Sequence, residues 1–249
     1  MIFGPWYKTE LYLNSGKGFH SNDARGTTTV IDPASGAPAA AVDPLVESFG
    51  NEIGVRSAWI PGLQTTLGIW YLELDSELVF VGDAGTTEAS GESRRYGLEW
   101  TNFYQVNDWL ALDLDVALTR SEFTADGPDD IPNSIGRVIT AGVTVDHPSG
   151  LFGSLRMRHF GDSPLTGDGS VKADPTTVFN LKAGFRHGKG LELALNVFNL
   201  FDSRDPDISY FFASCLPGEL PGCAGTGVED VHSHPVEPRQ VRGTLSWRF

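Results

Sequence analysis

The sequence predicts an all-β chain: an antiparallel transmembrane β-barrel wall of about ten strands, with short turns at one end and long loops at the other. Three observations carry this expectation. Period-two alternation dominates the chain and helical periodicity is almost absent. The connections alternate strictly between short and long. Aromatic residues gather at the short-turn ends of the strands.

The bulk composition permits such a wall without demanding it. Hydrophobic residues make up 40% of the 249 residues and mean hydropathy is −0.15, values shared with water-soluble proteins. No stretch approaches the ~18–20 apolar residues of a spanning helix, whereas a spanning strand needs only ~9–11 residues with every second one apolar. The net charge of −14 makes nucleic acid a poor partner, because phosphate contacts require clustered Lys and Arg.

The strands are expected near residues 6–20, 49–60, 63–82, 92–106, 109–123, 136–147, 151–161, 174–187, 190–200 and 236–249. Four show their faces plainly. Leu110, Leu112, Leu114, Val116 and Leu118 point one way, and Asp113, Asp115 and Thr119 the other. Phe179, Leu181, Ala183 and Phe185 oppose Asn180, Lys182 and Arg186. Leu191, Leu193, Leu195 and Val197 oppose Glu192 and Asn196. Val241, Gly243, Leu245, Trp247 and Phe249 oppose Gln240, Arg242, Thr244, Ser246 and Arg248. The charged faces need water, which the lumen of a wide barrel supplies. A half-exposed soluble sheet shows the same alternation, so the connections decide.

The short connections are Pro61-Gly62, Asn107-Asp108, His147-Pro148-Ser149-Gly150 and His187-Gly188-Lys189-Gly190, each with tight-turn chemistry. The long ones span 21–48, 83–91, 124–135, 162–173 and 201–235. Outer-membrane barrels have this asymmetry, with short periplasmic turns and long outer loops. The last strand then ends on the periplasmic side. Trp6, Tyr7, Trp59, Trp109, Trp247 and Phe249 lie near the short-turn ends, where an interfacial aromatic girdle belongs.

No enzyme motif is present: no His-Glu-x-x-His, P-loop, Gly-x-Ser-x-Gly or dinucleotide fingerprint, and no cofactor is called for. His232 and His234 could face one way on an extended segment, and Asp126, Asp129 and Asp130 form an acidic loop. Solvated loop polarity is the expected reading of both groups, and no metal site is assigned to either. Phe201, Tyr210, Phe211 and Phe212 either line a ligand vestibule or pack in the girdle and loop. Cys215 and Cys223 share one Gly/Pro-rich segment and are candidates for a loop disulfide in an oxidising compartment. Arg156, Arg158, Lys182 and Arg186 form a candidate basic strip on the lumen face. It would either meet an anionic group or pair with Asp113, Asp115 and Glu99.

The chain ends Leu245-Ser246-Trp247-Arg248-Phe249, and Val241, Leu245, Trp247 and Phe249 resemble the C-terminal assembly signal of outer-membrane barrels. The run Glu10-Leu11-Tyr12-Leu13-Asn14-Ser15-Gly16-Lys17-Gly18-Phe19-His20-Ser21-Asn22-Asp23 resembles a strand entering an outer loop in TonB-dependent receptors. Ala58-Trp59-Ile60-Pro61-Gly62-Leu63 is similar to one of their periplasmic turns, and Leu195-Asn196-Val197-Phe198-Asn199-Leu200-Phe201-Asp202 to their penultimate strand.

That resemblance implies the C-terminal part of a ~22-stranded barrel, residues 1–249 belonging to one barrel domain. It implies an outer-membrane receptor taking up a scarce nutrient such as an iron chelate. The implied partners are outer-membrane lipid, the barrel-assembly machinery, TonB acting through an N-terminal region, and an unknown nutrient. The chain departs from the family pattern in showing no plug domain, no coupling motif and no export signal: Met1-Ile2-Phe3-Gly4-Pro5-Trp6 has neither a basic nor an apolar leader region. Two other readings stay open. One is a complete ten-stranded barrel acting as a passive channel, and the other a rim-active protease using His159 and Asp162.

Overall fold

The computed structural model describes residues 1–22, 24–31, 36–39, 43–81, 86–124, 129–188, 190–223, 225 and 227–247. Asp23, Asp126, Lys189, Arg248 and Phe249 lie outside the described residues. Eleven strands form one antiparallel meander: β1 (Ile2–Trp6), β2 (Thr9–Ser21), β3 (Leu45–Ser57), β4 (Leu63–Leu74), β5 (Ser93–Asn107), β6 (Leu110–Phe123), β7 (Arg137–Asp146), β8 (Leu151–Phe160), β9 (Thr176–His187), β10 (Leu191–Phe198) and β11 (Gln240–Trp247). Each pairs with its neighbours in sequence, and Asp129–Asp130 adds a twelfth short strand against the end of β6. Among the described residues no pairing joins β1 to β11, so the sheet is an open wall.

The register makes the two faces explicit, because directly opposed residues share a face. Leu112 opposes Val143, which opposes Leu155, which opposes Leu181, which opposes Val197, which opposes Val241. That row defines the apolar face. One residue along, Asp113 opposes Gly142, then Arg156, then Asn180. That row defines the polar face. A one-residue slip would exchange the two faces, so the pattern fixes the register.

Four details differ from the sequence expectation. The expected strand 6–20 is two strands, folded back at Tyr7-Lys8 with φ of 51° and 58°. Neither residue type announces a left-handed turn, so the hairpin is silent in the sequence. The expected strand 63–82 stops at Leu74, and Glu77–Val81 pairs instead with Thr86–Ser90 inside the loop. The turn expected at Asn107-Asp108 falls on Asp108-Trp109, because Asn107 stays in the strand and its Oδ1 accepts the amides of Trp109 and Leu110 at 3.0 Å each. The last strand starts at Gln240, and the loop before it holds its own hairpin, Pro206–Ser214 against Val228–Pro235.

Long loops and short turns alternate around the wall. The turns after β1, β3, β5, β7 and β9 and the end of β11 all lie at one end of the sheet. Trp6, Tyr7, Trp59, Trp109 and Trp247 lie at that same end; Trp109 packs edge-on against His147, with ring centroids 5.2 Å apart. The loop end carries α1 (Ala24–Thr28) and the hairpins described above, with a further pairing of Ser163–Pro164 to Lys172–Ala173.

Candidate functional site

The chemistry-bearing side chains converge on the polar face. Gly142 lies between Asp113 and Arg156 in the row, and its missing side chain lets the two meet across β7. Arg156 Nη1 donates to Asp113 Oδ2 at 3.0 Å, while Asp113 lies over Gly142, where a β-carbon would come within 2.5 Å of its Oδ1. In the next row Thr140 Oγ1 donates to Asp115 at 3.1 Å. Arg186 donates to Asp146 at 2.5 Å and to Glu192 at 3.3 Å.

Arg158 and Lys182 have no carboxylate partner among the described residues. Lys182 Nζ instead lies 5.3 Å from the centre of the Phe152 ring, and Arg186 Cζ lies 4.2 Å from the same ring. Glu99 makes no ion pair with the strip among the described residues. The four strip residues thus divide into two neutralised arginines, Arg156 and Arg186, and two cations free of carboxylate, Arg158 and Lys182.

Arg242 belongs beside them and was not singled out from the sequence. It opposes Asn196, which opposes Lys182, and its guanidinium lies 5.5 Å from the Phe198 ring centre. Its polar position in the last strand was legible; its place in a row with Lys182 depends on strand order. At the other side of the wall the polar face carries Glu10, bound by Arg56 at 2.5 Å, and Glu52, which accepts from Asn14 at 3.0 Å.

Asn199 is the second residue that sequence reasoning missed. It is 4% exposed, with φ of 49°. Its Nδ2 donates to the carbonyls of Ser203 and Glu237, each at 2.9 Å, and its Oδ1 accepts the Ser203 amide at 2.9 Å. Its own amide donates to Asn180 Oδ1 at 3.0 Å. Nearby, Asp202 Oδ1 accepts the Arg239 amide, and Asp205 accepts the Thr177 amide, both at 2.9 Å. The two legs of the last loop are thereby clasped to each other and to β9.

The loop candidates resolve one by one. His232 stacks on Phe212 with centroids 3.9 Å apart, and His234 opposes Ile208. Asp130 pairs with Arg120 at 2.8 Å. Among the described residues no group of three His, Cys, Asp or Glu is arranged to hold a metal ion. Phe201 packs edge-on against Phe179 at 5.1 Å, and Tyr210, Phe211 and Phe212 alternate along the last loop's hairpin. Cys215 and Cys223 are joined, with Cα atoms 5.6 Å apart. His159 meets Thr177 at 2.9 Å and Asp162 meets Lys172 at 3.3 Å, so the two are not brought together. Val241, Leu245 and Trp247 lie on the apolar face opposite Val197, Leu193 and Leu191. In the loop after β8, hydrogen bonds from Thr166 Oγ1 and from the Ser170 amide and hydroxyl hold the Asp168 carboxyl down to about 2.

Residues 3–200 match the family model described as TonB dependent receptor-like, beta-barrel. The chain belongs to this family. TonB-dependent receptors are outer-membrane transporters, not enzymes. No curated protein matches the sequence. Solved structures share the fold at low identity. The ferric-catecholate import receptor Fiu from E. coli K12 superposes with a TM-score of 0.72 at 18% identity, over 100% of this chain and 34% of Fiu. The ferric yersiniabactin uptake receptor FyuA from Yersinia pestis gives 0.67 at 17% identity, over 97% of this chain and 35% of its own length. The copper transporter OprC gives 0.69 at 18% identity, over 97% and 37%. The chain thus spans about a third of the length of these structures.

Proposed function

We propose that residues 1–249 form the C-terminal part of the barrel wall of an outer-membrane receptor that takes up a scarce nutrient, such as an iron chelate, with energy supplied through TonB. The observation that carries this reading is the two-faced wall of a TonB-dependent receptor barrel: a face that is apolar from Leu112 across to Val241, backed by a polar face with cations left free of carboxylate among the described residues. The apolar face suits lipid and the polar face a water-filled lumen. An open edge is untenable in hydrocarbon, since each unpaired backbone group costs several kcal/mol, so further strands must close the barrel against β1 and β11. Solved relatives named for ferric-chelate and copper transport support a metal-bearing cargo. Arg158 and Lys182 face that cargo or the domain filling the barrel, while Arg156 and Arg186 are held by carboxylates. Val241, Leu245, Trp247 and Phe249 present the signal read by the barrel-assembly machinery.

The test is uptake of radiolabelled ferric chelates by cells whose only such receptor contains this wall, with and without TonB. TonB-dependent uptake supports the reading; passive, TonB-independent permeation of small solutes would replace it with a channel. Charge reversal of Arg158 and Lys182 should impair uptake while leaving membrane insertion intact.

A further inference from the structure

We propose that a cavity at the loop end of the polar face, flanked by Asp174 and Asp207, binds an organic ammonium group. The proposal rests on the reading of that face as the lumen and of the loop end as the outer mouth. It narrows the cargo to one that carries such a group beside an apolar body.

The cavity holds about 350 Å³ and stands where β8 and β9 give way to loops. Phe160 reaches it from the polar face, two residues beyond Arg158 on β8. Ile135 and Ile208 add apolar surface from two of the long connections, and Asp174 comes from a third. These walls are tied together. Thr176 Oγ1 donates to the Pro206 carbonyl, the Thr177 amide to Asp205 at 2.9 Å, and the Asn133 amide to the Pro164 carbonyl at 2.7 Å. Ser209, 3% exposed, meets the Ser233 hydroxyl at 2.8 Å. The cavity is therefore preformed, and its buried hydroxyls at Thr176 and Ser209 are already engaged.

The two carboxylates are not. Asp174 and Asp207 are exposed, and neither has an ion-pair partner among the described residues. No lysine, arginine or histidine lines the cavity among those residues. Nearby carboxylates are neutralised, Asp162 by Lys172 at 3.3 Å and Asp130 by Arg120 at 2.8 Å. The sequence supplies a second, independent observation. Residues 75–92, 124–136 and 205–238 fall in three of the long connections and contain no lysine or arginine, while Asp or Glu recurs in each. A mouth lined by one sign of charge concentrates the opposite sign and repels its own.

The cavity's composition selects among cations. A calcium ion takes about 6–8 oxygen ligands, and the apolar surface of Ile135, Phe160 and Ile208 offers it none. An organic ammonium ion uses both parts: its charged head meets the carboxylates, and its body covers the apolar surface.

The test is isothermal titration calorimetry on the complete receptor containing this wall, purified in mild detergent, with phenylethylammonium and its uncharged analogue phenylethanol as probes. The ammonium should bind about tenfold or more tightly than the alcohol, the worth of one charge-assisted hydrogen bond. Asp174→Asn combined with Asp207→Asn should abolish that difference and leave the weak binding of phenylethanol unchanged, which shows that the cavity still forms. Ile208→Ser should weaken both probes. Equal affinity of wild type and double variant for the ammonium would overturn the site, as would no binding by the wild type. Displacement of the probe by millimolar calcium alone would also overturn it, since that marks a bare-cation site. Heat-modifiable migration and TonB-dependent uptake of a ferric chelate report on the wall separately. A receptor that forms no barrel defeats the reading of the polar face as lumen, whereas a working receptor that ignores the probe defeats only this proposal.

Discussion

The Phe152 ring lies across Gly184 on the neighbouring strand, so closely that a β-carbon at 184 would come within 2.2 Å of its Cζ. Lys182 and Arg186, two positions to either side of Gly184, flank the ring. This arrangement buries Phe152 on the polar face, leaving it 8% exposed. Tyr12 lies on Gly54 in the same way, and its hydroxyl reaches within 3.0 Å of where a β-carbon of Gly68 would be. Aromatic rings seated on cross-strand glycines pin the register where the charged side chains alone would not.

Replacing Gly184 with Ala should therefore destabilise the wall by about 1–3 kcal/mol, the range for overpacking a filled site. The Leu193 carbonyl, 2.7 Å from the added carbon, is backbone and cannot turn aside. Urea titration of the lipid-embedded barrel, followed by tryptophan fluorescence, measures the shift. An unchanged midpoint would show that the ring does not rest on Gly184.

Asn199→Ala should free the last outer loop. It leaves the Ser203 amide and two carbonyls without their partner, a loss of about 1–3 kcal/mol for a site this buried. Limited proteolysis should then cut between residues 203 and 239 while the barrel keeps its heat-modifiable migration. Asn199→Asp should restore only the bond accepted from the Ser203 amide.

The pH response of the loop after β8 follows from Asp168. Its folded value lies below its ordinary one, so the carboxylate's contribution to loop order is present above the ordinary value of 3.8 and is lost as pH falls through about 2. Hydrogen exchange at the Ser170 amide should accelerate across that window. In Asp168→Asn the acceleration should vanish, because the group no longer titrates.

Removing the Cys215–Cys223 bond should act locally. The two residues are separated by 8 positions inside the last loop, away from the eleven-strand path. Cys215→Ser with Cys223→Ser should raise protease sensitivity between residues 214 and 228 without moving the unfolding midpoint of the wall. A lower midpoint would mean that the loop buttresses the strands.

Much of this protein was legible before folding. Alternation along β6, β9, β10 and β11 decided which face is apolar, because a pleated strand sends successive side chains to opposite sides and a slip would bury charge. Turn chemistry at Pro61-Gly62 and His147–Gly150 placed the short connections, so the meander and its two unlike ends followed. The resemblances around Leu195–Asp202 led to the family that residues 3–200 match. Three things needed the assembled sheet. The Tyr7-Lys8 turn needs two positive φ angles that neither residue favours, so only pairing of Ile2–Trp6 with β2 reveals it. The Arg156–Asp113 pair spans β7 only because Gly142 lies between them, a coincidence of register across three strands. Which polar-face cations are free of carboxylate among the described residues, Arg158, Lys182 and Arg242 among them, depends on which carboxylates their neighbours bring within reach. Composition specifies how many charges a chain carries, but distance decides which of them cancel.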